Sequence, residues 1–309
     1  MELRQTLNSA IERLSAEGVP SPRMNAELLI MFTLDCNRAY LFGHPERELT
    51  ADEVRRCDEV LARRMAGEPA QYITGHQEFW GMDLIVSPAV LIPRPETEHV
   101  VEAVLELARG NQASAISHQP SGTADLSETE AGRTEAARAG MPALHIVDVG
   151  TGSGAIALAL AREFPAAEIH ATDISAEALE VARANAARHD LSARIQFCKA
   201  DLLDTELEAS FDFVVSNPPY VGESEEDQVQ LEVRKFEPRS AVFAGPTGLE
   251  VIERLIPQSR RGLRPGGWLV FEISGTIVDG VRRLLEGWDD VSVKNDLQGI
   301  PRVAVARKL

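Results

Sequence analysis

The stretch that most narrows what this chain can become is Asp148-Val149-Gly150-Thr151-Gly152-Ser153-Gly154-Ala155. An apolar run, Leu144 to Val149, leads into it and reads as a buried strand, and a helical pattern leaves it and continues to about Glu163. A second apolar strand, Glu168 to Thr172, then ends at an acid, Asp173, about 20 residues beyond the turn. Strand, glycine turn, helix, strand and acid in that register form a βαβ unit with a ligand crevice at its strand ends. Glycines let the backbone come close to a ligand, and a carboxylate at the second strand's end is placed to accept hydrogen bonds from ribose hydroxyls. Gly150, Thr151, Gly152, Ser153, Gly154 and Asp173 are therefore expected to hold a nucleoside-bearing molecule.

The spacing bears on which nucleoside. A dinucleotide fingerprint is Gly-x-Gly-x-x-Gly with a helix N-terminus facing a pyrophosphate, whereas this turn runs Gly-x-Gly-x-Gly. Asp148, just before it, is expected to set a carboxylate beside the ligand. That is awkward for a pyrophosphate and suited to the ammonium or sulfonium region of S-adenosylmethionine. Asp201, after a strand over Arg194 to Phe197, is a candidate to receive the adenine amino group; a solvated loop acid is the alternative.

The alternation continues: a helix from Ser175 to about His189, a strand over Phe211 to Val215, a helix from Gly248 to Gly262 and a strand over Trp268 to Ile273. That rhythm predicts an α/β domain built on a doubly wound parallel sheet. Beyond it, Val278 to Leu285 reads as helix, and Val291 to Val293 with Val303 to Val305 as an antiparallel hairpin closing one edge.

The Phe211 to Val215 strand ends in Asn217-Pro218-Pro219-Tyr220. Asn217 carries an acceptor and a donor on one short side chain, and neither proline offers a backbone N–H, so carbonyls in this turn can point outward. Such a site can take both hydrogens of an NH2 group, with Tyr220 adding a flat face for a planar group. Pro-Pro as a plain strand terminator is the alternative.

Ahead of these motifs, Leu3, Leu7, Ile11 and Leu14 fall on one helical stripe, a second helix begins at Ser21-Pro22 with Ser21 as its cap, and Thr50 to Glu53 forms a capping box for another. Residues 1–73 are thus read as a small helical bundle without catalytic residue types, serving either to dock a partner or to cap the next domain. From Gln71 to Leu91 the period changes to that of a hairpin, a linker over residues 74–92. Residues 93–309 make the third unit. Its first helix runs to about Ala108, and residues 110–142, rich in small and polar types, read as a disordered insertion. Within Ile92-Pro93-Arg94-Pro95-Glu96-Thr97-Glu98, Arg94 either binds an acidic group or pairs with Glu96 or Glu98, with pairing preferred.

Composition limits the partners. A formal charge of −17, and acids over Glu223 to Asp227 just past the Asn217 turn, disfavour a nucleic-acid backbone and favour a protein or small molecule. No apolar run is long enough to cross a bilayer, and the first residues are too polar for a secretory signal, so a cytoplasmic protein is expected. Cys36, Cys57 and Cys198 are widely spaced, which indicates neither disulfides nor a zinc site but buried thiols. No metal and no membrane contact is expected, and a monomer is the default.

These residues resemble the HemK/PrmC family, the protein-(glutamine-N5) methyltransferases that act on peptide chain release factors. The resemblance extends over almost the whole chain: the bundle, Gln71-Tyr72-Ile73-Thr74-Gly75, Glu78-Phe79-Trp80-Gly81, Ile92 to Glu98, the glycine turn, Asn217 to Tyr220, and Phe236-Glu237-Pro238. It implies a Rossmann-like, seven-stranded S-adenosylmethionine-dependent methyltransferase domain behind an N-terminal bundle that helps dock release factors 1 and 2. By position, Gly150 to Gly154 and Asp173 would hold S-adenosyl-L-methionine, giving S-adenosyl-L-homocysteine as product, and Asn217 to Tyr220 would hold the glutamine of a Gly-Gly-Gln motif. The chain departs from the pattern at Leu202, where the best-known members have an aromatic against the adenine, and at residues 110–142, which compact members lack.

The mechanism expected from this pattern rests on Asn217 Oδ1 and the Pro218 carbonyl holding the hydrogens of a carboxamide, with Pro219 shaping the turn and Tyr220 beneath the amide plane. Three rivals are methylation of a flipped base, since the same turn suits any planar NH2; a nicotinamide oxidoreductase, disfavoured by the glycine spacing; and a nucleotide-sensing adaptor.

Overall fold

The computed structural model describes residues 1–117, 143–203 and 210–309. The chain opens with α1 (Leu3–Ala16), α2 (Pro22–Leu34), α3 (Arg38–Gly43) and α4 (Ala51–Met65), packed around Leu3, Leu14, Leu29, Ile30 and Leu61. The capping box at α4 is formed: Glu53 N donates to Thr50 Oγ1 at 3.2 Å and Thr50 N to Glu53 Oε2 at 2.9 Å. At α2, Ser21 sits in the cap position but in the left-handed region (φ 48°), and its side chain makes no cap hydrogen bond. Asn25 Nδ2, donating to the Pro20 and Ser21 carbonyls, fastens that corner instead.

The segment Gln71–Thr74, expected to begin the hairpin, belongs to a short helix, α5 (Ala70–Thr74). The hairpin proper is β1 (His76–Phe79) and β2 (Met82–Ile85), joined at Trp80 and Gly81. Both take positive φ, 53° and 68°, which gives a two-residue turn whose twist matches that of the strands. A long helix, α6 (Glu98–Ser117), follows; it continues past Ala108 into residues expected to be inserted chain. The rest of that expected insertion, from 118 to 142, lies outside the described residues.

Then come β3 (His145–Val149), α7 (Ala155–Glu163), β4 (Glu168–Asp173), α8 (Ala176–Arg188), β5 (Ile195–Lys199) and β6 (Phe211–Ser216). A strap over residues 221–245 is clasped at its ends by the pair β7 (Val221–Gly222) and β8 (Phe243–Gly245), and carries α9 (Leu231–Phe236). The chain closes with α10 (Glu250–Gly262), β9 (Leu263–Glu272), α11 (Val278–Leu284), β10 (Asp289–Asn295) and β11 (Pro301–Arg307).

Seven strands form one sheet in the order β10-β11-β9-β6-β3-β4-β5. The strands β9-β6-β3-β4-β5 run parallel, while β11 lies antiparallel between β9 and β10. Both faces are covered, and the alternation of side chains shows it: Ile146, Val270 and Val303 enter the core on one face with Val100, Val104 and Leu158, and Val147, Leu269 and Ala304 enter that on the other with Ile252, Leu255 and Val281. Strand order reverses between β3 and β6, so the loops leaving their carboxyl ends part in opposite directions and open a crevice. The glycine turn and Asn217 lie on those two loops. Ser216 Oγ donates to the Val149 carbonyl at 2.7 Å, fixing the two strand ends together.

Among the described residues, no helix is long and apolar enough to cross a membrane, and no three His, Cys, Asp or Glu side chains converge as metal ligands. The cysteines are not uniformly buried. Cys57 is, but Cys36 is half-buried and Cys198, near the end of the outermost parallel strand, is exposed.

Candidate active site

A cavity of about 290 Å3 lies at the carboxyl ends of β3 and β4. Gly150, Thr151, Gly152, Ser153, Asp173, Asp201, Leu202 and Asn217 all line it. The turn keeps φ values of 72°, 55° and 86° at Gly150, Gly152 and Gly154, a region that side chains with a Cβ resist. A Cβ at Gly150 or Gly152 would meet nothing within 4 Å, so these two glycines supply backbone shape and open approach. Gly154 is constrained from behind, since a Cβ there would stand 2.8 Å from Leu158 Cδ1 and 3.3 Å from Ala182 Cβ.

Two acids hold the turn, from different sides. Asp173 accepts from Gly152 N and Ser175 N, both at 2.9 Å, one at each carboxylate oxygen, and burial raises its pKa above the ordinary range. Asp173 lines the cavity, and a carboxylate oxygen can accept more than one hydrogen bond. Asp148, expected beside the ligand, does not line the cavity. It is fully buried under the turn, where its Oδ2 accepts from Thr151 Oγ1 at 2.6 Å and Ala157 N at 3.1 Å. Burial, with Asp173 nearby, pushes it up to about 7, and its Oδ1 has no hydrogen-bond partner. Asp201 stands at the cavity rim in an ion pair with Arg254 of α10 at 2.5 Å, so the carboxylate proposed for the adenine amino group already has a cation. Leu202, next to it, adopts φ 64°, a strained conformation for a leucine at the cavity wall.

A second cavity of about 410 Å3 lies on the other side of the Asn217 turn, lined by Arg94, Glu96, Asn217, Pro218, Pro219, Tyr220, Val233, Glu272 and Arg302 among others. Asn217 and Pro219 line both cavities and form the wall between them. Asn217 Nδ2 donates to Thr97 Oγ1 at 2.9 Å, and Tyr220 OH donates to Glu272 Oε1 at 2.8 Å. Burial beside the Glu272 carboxylate raises the Tyr220 phenol well above its usual value, so it stays a neutral donor.

Arg94 lines this second cavity, but its partner is neither Glu96 nor Glu98. It pairs with Glu237 Oε1, whose other oxygen accepts from Ile92 N at 3.1 Å. Glu98 accepts from Trp80 N at 2.8 Å, and Glu96 faces Arg302 at 3.9 Å. The Phe236-Glu237-Pro238 motif is thus the buried counterpart of the Ile92 to Arg94 segment, across 143 residues of chain. Burial raises the Glu237 pKa and Arg94 opposes that shift.

Sequence reading missed several residues that the structure brings to the site. Thr97, Glu237 and Glu272 are buried acceptors or donors whose partners lie far off in sequence. Ile174 is 59% exposed yet directly follows Asp173 in the cofactor-side cavity wall; a large apolar residue at a strand's open end was its only signal. Asn185 of α8 is fully buried, donating to the Ser153 and Ile85 carbonyls at 2.9 Å each and accepting from Ile85 N at 2.6 Å. It ties the linker hairpin to the glycine turn.

Comparison with known proteins agrees with this layout. A model of the PrmC N-terminal domain matches residues 5–75, and one of the methyltransferase small domain matches residues 136–235. A release factor glutamine methyltransferase of Koribacter versatilis is 52% identical over 309 residues, covering 100% of this chain and 99% of that protein. One of Moorella thermoacetica is 39% identical, covering 99% of this chain and 98% of that protein. Among solved structures, the hMettl16 catalytic domain in complex with MAT2A 3′UTR hairpin 6 superposes with a TM-score of 0.51 at 16% identity, over 83% of this chain and 82% of that one, a likeness of fold. The sheet is the Rossmann-like methyltransferase fold, and with half its residues matched end to end in the Koribacter protein, the chain is a methyltransferase that belongs to the release factor glutamine methyltransferase family.

Proposed function

We propose that the chain methylates N5 of the glutamine in the Gly-Gly-Gln motif of peptide chain release factors 1 and 2, with S-adenosyl-L-methionine as donor and S-adenosyl-L-homocysteine as product. The observation that carries this reading is the position of Asn217: one side chain lines both cavities, and its Nδ2 is already engaged by Thr97. Its Oδ1 is left to accept a hydrogen from an amide NH2 at the junction of the two cavities.

The residues of the first cavity fit the donor. Open space over Gly150 and Gly152 admits a ligand against the backbone, Asp173 retains lone pairs for ribose hydroxyls, and Ile174 offers an exposed apolar face to a base. When bound, S-adenosylmethionine would supply an electrophilic methyl and leave as a neutral thioether; as the N–CH3 bond forms, the amide nitrogen turns acidic and one of its two protons passes by way of the carbonyl oxygen that holds it to water, so no strong base is demanded of the site.

The work left to the protein is to hold a poor nucleophile. An amide nitrogen shares its lone pair with its carbonyl, and acceptors on both of its hydrogens return electron density to the nitrogen. Asn217 Oδ1 and the Pro218 carbonyl serve as these acceptors, because Pro218 and Pro219 contribute no N–H to compete. Tyr220, its OH anchored on Glu272, stands in the second cavity's wall beneath the amide plane. Fixing nitrogen and methyl in line supplies up to roughly 7 to 11 kcal/mol in favourable cases. Glu96 in the lining of the second cavity, and the acids Glu223 to Asp227 carried on the strap that follows the Asn217 turn, suit a protein loop better than a phosphate backbone. Release factors act on ribosomes, and the same reading places this chain in the cytoplasm with them.

The test is transfer of a labelled methyl to purified release factor 1 or 2, beside DNA and ribosomal RNA. Label found on the Gly-Gly-Gln glutamine by peptide mass spectrometry is the expected result. Label on a nucleic acid, or on another residue of the factor, would overturn the assignment.

A further inference from the structure

Glu272, at the carboxyl end of β9, is a buried carboxylate, 2% exposed, with no part of its own in the chemistry above. Its two oxygens take two hydroxyls from different loops: Tyr220 OH at 2.8 Å and Thr97 Oγ1 at 2.6 Å. Arg302, whose charge acts on it, is itself engaged with Asp296 at 2.9 Å and Glu96 at 3.9 Å. The carboxylate's direct partners are the two hydroxyls, and in its ionised form, which can only accept, both point their protons at it.

That requirement fixes the polarity of the chain beyond. A hydroxyl has one proton, so Thr97, which donates it to Glu272, can only accept from Asn217. The amide must then turn Nδ2 to Thr97 and Oδ1 to the cavity, since the reverse setting would face an oxygen with the hydroxyl lone pairs. We infer that Thr97 and Glu272 are positioning residues that lock Asn217 with Oδ1 toward the substrate cavity, and so make the site select a carboxamide side chain over a carboxylate. The inference rests on the proposed function and adds the origin of its selectivity. A glutamine NH2 meets an acceptor there, whereas a glutamate would bring two acceptors against a third. Were Asn217 free to flip, Nδ2 would face the cavity and welcome the carboxylate.

The experiment measures binding and turnover of a release factor carrying Gly-Gly-Gln and of its Gly-Gly-Glu variant, on wild type, Thr97→Val, Thr97→Ser and Glu272→Gln, with a thermal melt of each. Wild type is expected to bind the glutamine form about tenfold or more tighter. Thr97→Val matches threonine in shape but has no hydroxyl; Glu272→Gln places an NH2 that can donate to Thr97 and release its proton toward Asn217. In both, the glutamine-to-glutamate preference should drop about tenfold and kcat should fall, with KM for the donor nearly unchanged. Thr97→Ser should restore both.

Burial raises the Glu272 pKa, so wild-type kcat should show an acid limb that Glu272→Gln lacks. The other ionisable groups lining this cavity are Arg94, Glu96, Tyr220 and Arg302, all unchanged in that variant. A folded Thr97→Val protein with undiminished kcat and preference overturns the inference, as does a wild-type preference near one. Failure of wild type to methylate release factor would instead sink the functional reading; the binding preference, which needs no methyl transfer, still decides this one.

Discussion

Arg64 Nη2 and Glu232 Oε2 stand 2.7 Å apart, joining α4 of the helical bundle to α9 of the strap. Arg64 is 4% exposed; its Nε donates to Asn25 Oδ1 at 2.8 Å and its Nη1 to the Glu68 carbonyl at 3.1 Å. Val233, beside Glu232, lines the second cavity, so the bundle helps hold a wall of the substrate site. Replacing Arg64 by leucine strands Glu232 and Asn25 and is expected to lower the unfolding free energy by about 2 kcal/mol in urea titrations. KM for release factor should rise more than kcat falls. An unchanged KM would show that the bundle does not act on this wall.

The proposed function divides the work between Asp173, in the first cavity, and Asn217, between the two, and single-turnover kinetics tests that division. Asp173→Ala frees Gly152 N and Ser175 N and removes the proposed ribose acceptor, so donor affinity should drop by about 10- to 100-fold with a modest change in the chemical step. Asn217→Ala should slow that step by about 100-fold and leave donor affinity nearly intact. The reverse pattern would sink the role of each.

Gly248 presses on the back of the Asn217 turn. A Cβ there would stand 2.5 Å from the Tyr220 carbonyl oxygen and 3.1 Å from Gly222 N, at φ 83°. Gly248→Ala must therefore shift the Tyr220 backbone as well as strain its own, and turnover should fall by about tenfold or more while the donor binds as before. A variant with wild-type turnover would mean that the turn tolerates displacement.

Asp148 gives a pH signature. Its pKa, about 7 in the folded chain against an ordinary value near 3.8, means that the folded state holds a proton which the unfolded state has lost across that interval. The contribution to stability is greatest below about pH 4 and is lost as pH rises through 7, on the order of 4 kcal/mol for so buried a group. Asp148→Asn removes this titration and keeps an acceptor for Thr151. The stability of wild type relative to the variant should therefore decline between pH 5 and pH 8 when urea midpoints are compared. A constant difference would show that Asp148 keeps its charge when buried.

Much of the catalytic unit could be read from sequence because its signals are local. Period-two and period-3.6 patterns gave the strands and helices of the sheet after Ala143, and the glycine turn with Asp173 located the first cavity, since positive φ and strand-end acids are decided within a few residues. The Thr50–Glu53 capping box formed for the same reason. Reading failed where a side chain chooses among distant partners. Arg94 had two acids close in sequence and took Glu237 instead, because the strap returns past Ile92 and buries that carboxylate against Arg94 and the Ile92 amide, which satisfy it. Asp148 looked like a ligand contact and became a buried brace, because the turn folds over it.

The sequence alone determined which chemical groups stand at the ends of β3, β4 and β6: the glycines, Asp173 and the Asn217 turn. Tertiary structure decided how they face one another. Parallel pairing of β6 with β9, which sets Ser216 opposite Phe271, and reversal of strand order at β3 bring loops up to 175 residues apart to one crevice, where Glu272, Thr97 and Asn217 form a single hydrogen-bonded chain. A hydrogen bond acts over about 3 Å, so its partners are set by which loops the sheet order makes neighbours, information that no window of sequence contains.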